Sequence, residues 1–199
     1  LDAPEAAGLP LLHATVPALE SALAAGVADD ALDLACLLAA AHLARRGDQR
    51  GTRHGCVLIE RGGSRGERLL GVGFNHQVVD STKPHGGKRV VHAETNALAN
   101  AIWQHGEHAA FDAFPRCVAF VVELRGEVGY DDAHPCPKCE GTLRAAGVRQ
   151  VRHTSGAGPV VSRLLGPPLP HLLRSNVVDP LRINLRDEFG RRCERLRGE

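Results

Sequence analysis

The sequence predicts one α/β domain in which helices pack on a central sheet. The chain of 199 residues is 43% hydrophobic and 24% charged, so it can bury one sizeable core. Helical patterns alternate with short β-type runs over residues 28–155. The strongest run, CVAFVVEL, is apolar at seven of its eight positions, as expected of a central strand that is covered on both faces.

The first predicted helix and strand pair lie before residue 75. The run DDALDLACLLAAAHLARRG begins with two acids and ends with two Arg and a Gly, which suits a helix dipole and cap. This helix is apolar on nearly all sides and should be buried. The runs CVLIE and LLGVGF follow as strands joined by a Gly- and Arg-rich turn, which predicts a hairpin.

The remaining elements alternate between helix and strand. A polar loop is predicted over residues 75–89, followed by a helix from His92 to about His105. The predicted order is then the strand CVAFVVEL, a loop over residues 125–134, a helix from near Cys136 to before Gly147, and the strand VRQVRH.

The two ends of the chain carry weaker patterns. Residues 1–27 are interpreted as an N-terminal extension, and residues 28–155 as the core. Residues 156–199 begin as a Pro- and Gly-rich linker and end in an Arg-rich segment, which we expect to pack on the core as an arm. The start at Leu1 and the absence of Met favour a mature or trimmed chain.

Composition limits the classes of function. The chain has no run of eighteen apolar residues and no secretory signal, so we expect a cytoplasmic protein without a membrane span. Aromatic residues make up 4%, the formal net charge is +1, and no basic stretch is interleaved with aromatics. Composition therefore gives no support to a nucleic-acid-binding groove.

The six cysteines divide into two kinds. Cys36, Cys56 and Cys117 lie in apolar runs and are predicted to be free, buried thiols. Cys193 lies in the polar tail and should be exposed. The pair in HPCPKCEG, at residues 136 and 139, has the spacing of metal ligands.

Two short motifs carry the predicted chemistry. H-x-E occurs at His92–Glu94, where a helical pattern begins, and again at His105–Glu107, where that helix ends. P-C-x-x-C, at residues 135–139, is much rarer in a chain of this composition, so the two motifs together carry the weight. The first H-x-E copy is the better candidate, and the second stays an alternative.

These residue types suit a catalytic zinc site. Cys136 and Cys139 would share one face at a helix N-terminus, which favours their thiolate forms, and His92 could be a third ligand. Three protein ligands leave the fourth tetrahedral position open for water, whose pKa zinc lowers toward neutrality. Glu94, free of the metal, could carry the proton from this water to a ring nitrogen and then to a departing amine.

Two other interpretations of these residues stay open. A structural zinc site would take a fourth protein ligand, for which His134 or His153 is available. Alternatively, His92 is an ordinary polar residue, and the Cys pair is free or forms a disulfide.

The motifs HAE, at 92–94, and PCPKC resemble the signature of the zinc-dependent cytidine and deoxycytidylate deaminase superfamily. The resemblance covers about residues 28–155 and implies a three-layer α/β/α sandwich, cytidine deaminase-like, with a mixed central sheet. VHAETNAL and PCPKCEGTLRAAGVRQV are most similar to the deoxycytidylate deaminase branch. The resemblance implies one catalytic Zn²⁺, with Glu94 as the catalytic residue and His92, Cys136 and Cys139 as the metal ligands.

The resemblance also implies residues that bind the substrate. Asn75, in GVGFNHQ, matches the family segment whose Asn contacts the substrate, although a plain turn residue is the alternative. The backbone amide of Ala93 would hold the pyrimidine carbonyl. Pro135, in the PCPKC motif, is the third residue assigned to substrate binding.

The chain departs from the family pattern near the expected pocket. The loop before PCPKC has about ten residues, and His134 precedes the Pro where Thr, Glu or Phe is more usual. Tyr130, Asp131 and Asp132 could reach the base from this loop, or form a solvated turn.

Four further residues could each have either a ligand-binding or a structural role. Lys83, Lys88 and Arg89 could bind a 5′-phosphate or belong to a solvated loop. Trp103 is interpreted as a helix anchor in the core or at an interface, and not as a base-stacking platform.

The sequence therefore predicts a hydrolytic deaminase that releases ammonia from a free cytosine nucleotide or nucleoside, with a deoxycytidylate-like compound as the first choice. One alternative is a nucleic-acid base deaminase, acting on tRNA adenosine or on cytosine in single-stranded DNA or RNA. Another is a non-catalytic zinc module that holds a partner through residues 156–199. The family resemblance also makes a homo-oligomer, dimeric or larger, the expected assembly.

Overall fold

A mixed sheet lies between two layers of helices in the computed structural model, which describes residues 16–26, 28–47, 51–63, 66–80, 87–126, 129–156 and 158–166. The helices are α1 (Val16–Ala25), α2 (Asp29–Ala44), α3 (Ala93–His105), α4 (Glu107–Ala113) and α5 (Pro137–Ala146), with a 3₁₀ turn at Phe114–Arg116. The strands are β1 (Thr52–Gly63), β2 (Gly66–Phe74), β3 (His76–Asp80), β4 (Gly87–Val91), β5 (Cys117–Arg125), β6 (Gly129–Asp131), β7 (Gln150–Ser155) and β8 (Gly158–Leu164).

The strand order of the main sheet is β2-β1-β5-β7-β8, and the short β6 pairs with the end of β5. Strands β5 and β7 run parallel, and α5 forms the crossover between them. The other pairs of this sheet are antiparallel. The predicted α/β/α sandwich with a mixed central sheet is therefore confirmed.

Two apolar clusters fill the spaces between the layers. One packs α3, α4 and α5 on the sheet, and the other packs α1 and α2 on the opposite face. Strand β5 serves both clusters, because Val121 enters the first and Phe120 the second. This two-sided burial explains why CVAFVVEL is apolar at successive positions.

Glycines in β1 and β2 allow the helices to approach the sheet closely. A Cβ atom built on Gly55 would lie 1.9 Å from the carbonyl oxygen of Ala40 in α2. On the other face, a Cβ atom on Gly73 would lie 2.3 Å from the carbonyl oxygen of Ala93, the first residue of α3. Any side chain at either position would displace a helix.

Polar side chains of α3 bind the outer edge of β2, which ends the sheet on this side. The backbone N–H of Phe74 donates to Oδ1 of Asn96 at 3.1 Å, and Asn100 Nδ2 donates to the carbonyl of Val72 at 2.7 Å. His105 Nε2 lies 3.1 Å from the carbonyl oxygen of Leu70, two residues before Val72 on the same strand. The helix thereby satisfies backbone groups that have no neighbouring strand.

The structure contradicts the predicted loop over residues 75–89. Strands β3 and β4 pair antiparallel there, in register from His76 opposite Val91. Val78 and Val91 are buried, which gives this small sheet an apolar side. The intervening Gly and charged residues hide this pattern in the sequence.

The structure also contains helices and strands that the sequence did not predict. Helix α1 forms in a stretch without clear sequence periodicity, and its Leu19 is buried against α2. Helix α4 extends the layer after α3, β6 lies within the predicted loop 125–134, and β8 forms at the start of the predicted arm. Trp103 is 54% exposed on α3, so its interpretation as a core residue is wrong.

The buried thiols agree with prediction. Cys36, Cys56 and Cys117 are free and buried, and burial raises the pKa of the Cys36 and Cys117 thiols to about 12. Cys193 and most of the predicted extension and arm lie outside the described residues.

Among the described residues, no helix combines the length and apolarity that a membrane span needs. The domain boundaries near residues 28 and 155 and the cytoplasmic location stay predictions.

A Gly55→Ala substitution tests the close approach of α2. We expect it to lower the free energy of unfolding by about 1–3 kcal/mol, because its methyl group overlaps backbone that cannot easily move. The matched control is Gly141→Ala in the interior of α5, where nothing lies within 4 Å of the new Cβ. This control should leave stability unchanged or raise it by up to about 1 kcal/mol. Chemical denaturation measures both, and equal effects would contradict the packing argument.

Glu60 supports a second stability prediction. It is 3% exposed and accepts hydrogen bonds from Arg68 and Arg116. Burial alone would raise the pKa of Glu60, but the two Arg residues outweigh burial and lower it below its ordinary value of 4.5. Its ionised form therefore stabilises the fold above about pH 4.5, and this contribution is lost as the pH falls through the lowered pKa.

We expect Glu60→Gln to lower the free energy of unfolding by about 1–2 kcal/mol at pH 7, because it removes charge-assisted hydrogen bonds to Arg68 and Arg116. The loss is limited because both Arg side chains are partly solvated. Denaturation curves at several pH values should show this difference shrinking below about pH 4.5. The control Asp112→Asn, on the surface of α4, should change stability by less than about 0.5 kcal/mol. A difference for Glu60→Gln that is independent of pH would overturn the assignment.

Candidate active site

The predicted metal ligands meet where the N-termini of α3 and α5 face each other. His92 is the N-cap of α3, Cys136 is the N-cap of α5, and Cys139 lies in the first turn of α5. One ligand atom from each residue lies within 4.8 Å of the others. The backbone N–H of Cys139 also donates to Sγ of Cys136 at 3.5 Å, which fixes the cysteine turn.

The distances in this cluster fit zinc. Cys136 Sγ lies 3.7 Å from His92 Nδ1. A tetrahedral ion with Zn–S of about 2.3 Å and Zn–N of about 2.0–2.1 Å requires a separation of about 3.6 Å between such atoms. Two sulfurs and one imidazole also form a donor set that zinc prefers. The cluster therefore fits a Zn²⁺ site.

No fourth protein ligand joins the cluster in the part of the chain that the structure describes. His134 contacts Arg163 through Nε2, and His153 Nδ1 lies 3.0 Å from the carbonyl oxygen of Thr154. These contacts argue against the structural zinc site. The second H-x-E copy also lies elsewhere, because His105 binds the edge of β2 at the far end of α3.

Glu94 lies beside the cluster without belonging to it. It occupies the first turn of α3, is 4% exposed and lines the cavity described below. Burial raises the pKa of the Cys139 thiol, and the negative charge of Glu94 raises it further. A metal ion that binds here must therefore displace the thiol proton.

A cavity of about 290 Å³ opens beside the metal cluster. This volume lies near the lower end of the range for small-molecule sites, about 300–1,000 Å³. Its lining residues, taken over the described part of the chain, come from the ends of β1, β2 and β4 and from both helix N-termini. They are Thr52, His54, Asn75, Val90, His92, Glu94, His134 and Cys136.

Asn75 is buried at the cavity and binds the backbone of β1. Its Oδ1 accepts from the N–H of His54 at 2.8 Å, and its Nδ2 donates to the carbonyl of Thr52 at 2.9 Å. A carboxamide has two donors and two acceptor positions, so one of each remains for a ligand. The side chain therefore positions the strand and still faces the cavity.

The other two predicted substrate residues lie next to the metal ligands. Ala93 is buried as the first residue of α3, where a helix N–H has no intrahelical acceptor. Pro135 is buried just before Cys136. Neither is among the cavity-lining residues of the described chain, and contact of either with substrate stays a prediction.

Several cavity residues were not predicted from the sequence. Thr52, His54 and Val90 were missed, and His134 was noted as a departure from the family pattern and as a possible fourth zinc ligand, but not as a cavity residue. The available signal for His54 was its position two residues before buried Cys56, on the same face of the same strand.

The three residues that the sequence offered as possible contacts of the base do not line the described cavity. Tyr130 and Asp131 belong to β6, and Asp131 pairs with Arg125 at 3.1 Å. They and Asp132 are not among the described lining residues. Lys88 and Arg89 lie on β4 next to the cavity residue Val90, whereas position 83 is outside the described residues.

Comparison with known proteins identifies a family for the chain. The family model described as the cytidine and deoxycytidylate deaminase zinc-binding region matches residues 30–154. Among solved structures, the dCMP deaminase from the cyanophage S-TIM5, in apo form, is similar with 19% identity and a TM-score of 0.42. That alignment covers 65% of this chain and 86% of the phage chain. No curated protein matches the sequence. Because the family model spans more than half of the 199 residues and includes the H-x-E and P-C-x-x-C motifs, the chain belongs to the cytidine and deoxycytidylate deaminase family.

Proposed function

We propose that this protein is a zinc-dependent hydrolase that removes the exocyclic amine of a free cytosine nucleotide or nucleoside. A deoxycytidylate-like compound is the first choice of substrate. The observation that carries the proposal is the convergence of His92, Cys136 and Cys139 beside the buried, non-ligating Glu94, at the wall of one cavity.

Each residue has a distinct role in the proposed reaction. A zinc ion held by His92, Cys136 and Cys139 would make a water molecule nucleophilic at neutral pH. Glu94 takes a proton from this water on its carboxylate and passes it to the ring nitrogen beside the amine-bearing carbon. The water oxygen bonds to that carbon, and Glu94 then takes the remaining proton from the new hydroxyl group and delivers it to the amine. The carbon–nitrogen bond to the amine breaks, ammonia leaves, and a ring carbonyl forms.

The polar groups around the cavity orient the substrate in this proposal. The Ala93 N–H, at the start of α3, suits the carbonyl oxygen of a pyrimidine. The spare donor and acceptor of Asn75 suit sugar or base groups. Pro135 would support the wall beside Cys136. The homo-oligomer expected from the family resemblance stays a prediction.

A free small molecule is favoured over a base within a polymer. A polymer deaminase must bind the strand on either side of the target base, usually with aromatic and basic side chains. The chain has 4% aromatic residues and a formal net charge of +1. Lys88 and Arg89, near the cavity on β4, suit a single 5′-phosphate in this proposal.

Ammonia release from zinc-loaded protein tests the reaction directly. The panel contains cytidine, deoxycytidine, their 5′-monophosphates, RNA and single-stranded DNA. We expect release from at least one free cytosine compound, and a Glu94→Gln variant should lose about 10²–10⁴-fold in kcat because proton transfer is removed. Release from the polymers alone, falling steeply with salt, would replace the proposal with a nucleic-acid deaminase.

The matched control for this test is Glu107→Gln, which changes the carboxylate of the second H-x-E motif. Glu107 begins α4, away from the metal cluster, so this variant should retain wild-type turnover. Full turnover by Glu94→Gln would contradict the assignment of the proton carrier.

Metal content gives a separate test of the ligands. We expect one zinc per chain in the wild type, and loss of most of it in Cys136→Ala, because two remaining ligands bind zinc weakly. The control is Cys36→Ala, which removes a buried thiol from the opposite face of the sheet and should keep the metal. Elemental analysis after dialysis measures both variants. Undiminished zinc in Cys136→Ala would overturn the ligand set.

A further inference from the structure

His54, in the cavity wall, forms a polar pair with Glu123 behind it. They lie directly opposite each other in the register of β1 and β5, and His54 Nε2 is 3.1 Å from Glu123 Oε2. Their side chains are 29% and 12% exposed, and His54 lines the cavity. Cys56 and Val121, two residues along each strand, belong to the cluster that packs on α3 and α5. The pair is therefore on the face of the sheet that carries the metal site.

Glu123 determines which ring nitrogen of His54 carries hydrogen. An ionised carboxylate only accepts hydrogen bonds, so Nε2 must be the donor. In the neutral imidazole, Nδ1 then has a lone pair and acts as an acceptor. Within the described part of the chain, Nδ1 has no hydrogen-bond partner, and His54 lines the cavity.

The backbone of His54 is held as firmly as its side chain. Its N–H donates to Asn75 Oδ1 at 2.8 Å, and its carbonyl accepts from the backbone N–H of Asn75 at 3.1 Å. The next residue, Gly55, is closely covered by α2. An acceptor that is fixed in this way loses little conformational entropy when a ligand binds.

We propose that His54 is a specificity-determining residue that accepts, at Nδ1, a hydrogen bond from an uncharged O–H or N–H group of the substrate. Glu123 is the positioning residue for this contact. The inference rests on the proposed function, since it assumes that a nucleoside or nucleotide occupies the cavity. A sugar hydroxyl and a base amine both have the required chemistry. A phosphate does not, because it is anionic and would approach the charge of Glu123.

Binding without turnover tests this contact. In zinc-loaded Glu94→Gln protein, calorimetry compares His54 with His54→Ala, His54→Asn and His54→Gln, using 2′-deoxycytidine as the probe. We expect His54→Ala to weaken binding about tenfold, the factor that about 1.4 kcal/mol represents. Asn carries a polar atom near the position of Nδ1 and should restore most of the affinity. Gln carries its polar atom near the position of Nε2 and should not.

Further probes locate the donor. Loss of the His54 effect with 2′,3′-dideoxycytidine would place the donor at the 3′-hydroxyl, and an effect that persists with free cytosine would place it on the base. The surface control His108→Ala, on α4, should bind every probe as the parent does. Unchanged binding of every probe in His54→Ala would overturn the proposal. So would a larger loss for deoxycytidine 5′-monophosphate than for deoxycytidine, because that result makes His54 a phosphate donor.

Turnover in the wild-type background separates this inference from the proposed function. We expect His54→Ala to raise KM about tenfold with little change in kcat, as for a contact that is equal in the ground and transition states. Ammonia release with an unchanged KM would remove the inference alone. Binding that depends on His54 without ammonia release would remove the proposed function alone. Failure of every probe to bind the wild type would remove both.

Discussion

The close approach of α3 to β2 is the constraint on which the site depends. Gly73 leaves room for the backbone of Ala93, and Asn96 and Asn100 bind the helix to the strand edge. His92 and Glu94 flank Ala93, so the same contacts that place the helix also place these two side chains. A shift of this helix along the sheet would separate them from the cysteines of α5.

The second half of the site comes from the parallel pairing of β5 and β7. The crossover between these strands begins with α5, whose first turn carries both cysteines. Two helix N-termini thus point toward one small volume, and the partial positive charge at each favours anions. Glu94 lies there, and the two cysteines would become thiolates when a metal ion displaces their protons. In the proposed function, metal binding and proton transfer would therefore share one electrostatic environment.

Local patterns in the sequence were enough for some parts of this structure and insufficient for others. The run at β5 and the P-C-x-x-C spacing are visible because burial and metal ligation each demand particular residues in adjacent positions. Strands β3 and β4 were missed because each is short, and Val78 and Val91, one in each strand, are the only buried residues among those whose burial is described. His54 was missed because its partner lies 69 positions away along the chain, at Glu123, and only cross-strand register brings them together. Such register depends on the whole sheet.

The contact between Arg163 and His134 bears on how much of the chain the cavity needs. Strand β8 lies beyond residue 154, where the family match stops, yet its Arg163 holds a residue of the cavity wall and also pairs with Glu140 in α5 at 3.3 Å. A fragment cut at residue 154 would keep every metal ligand and lose this support. The wall of the cavity thus depends on a part of the chain that lies beyond all of the proposed metal ligands.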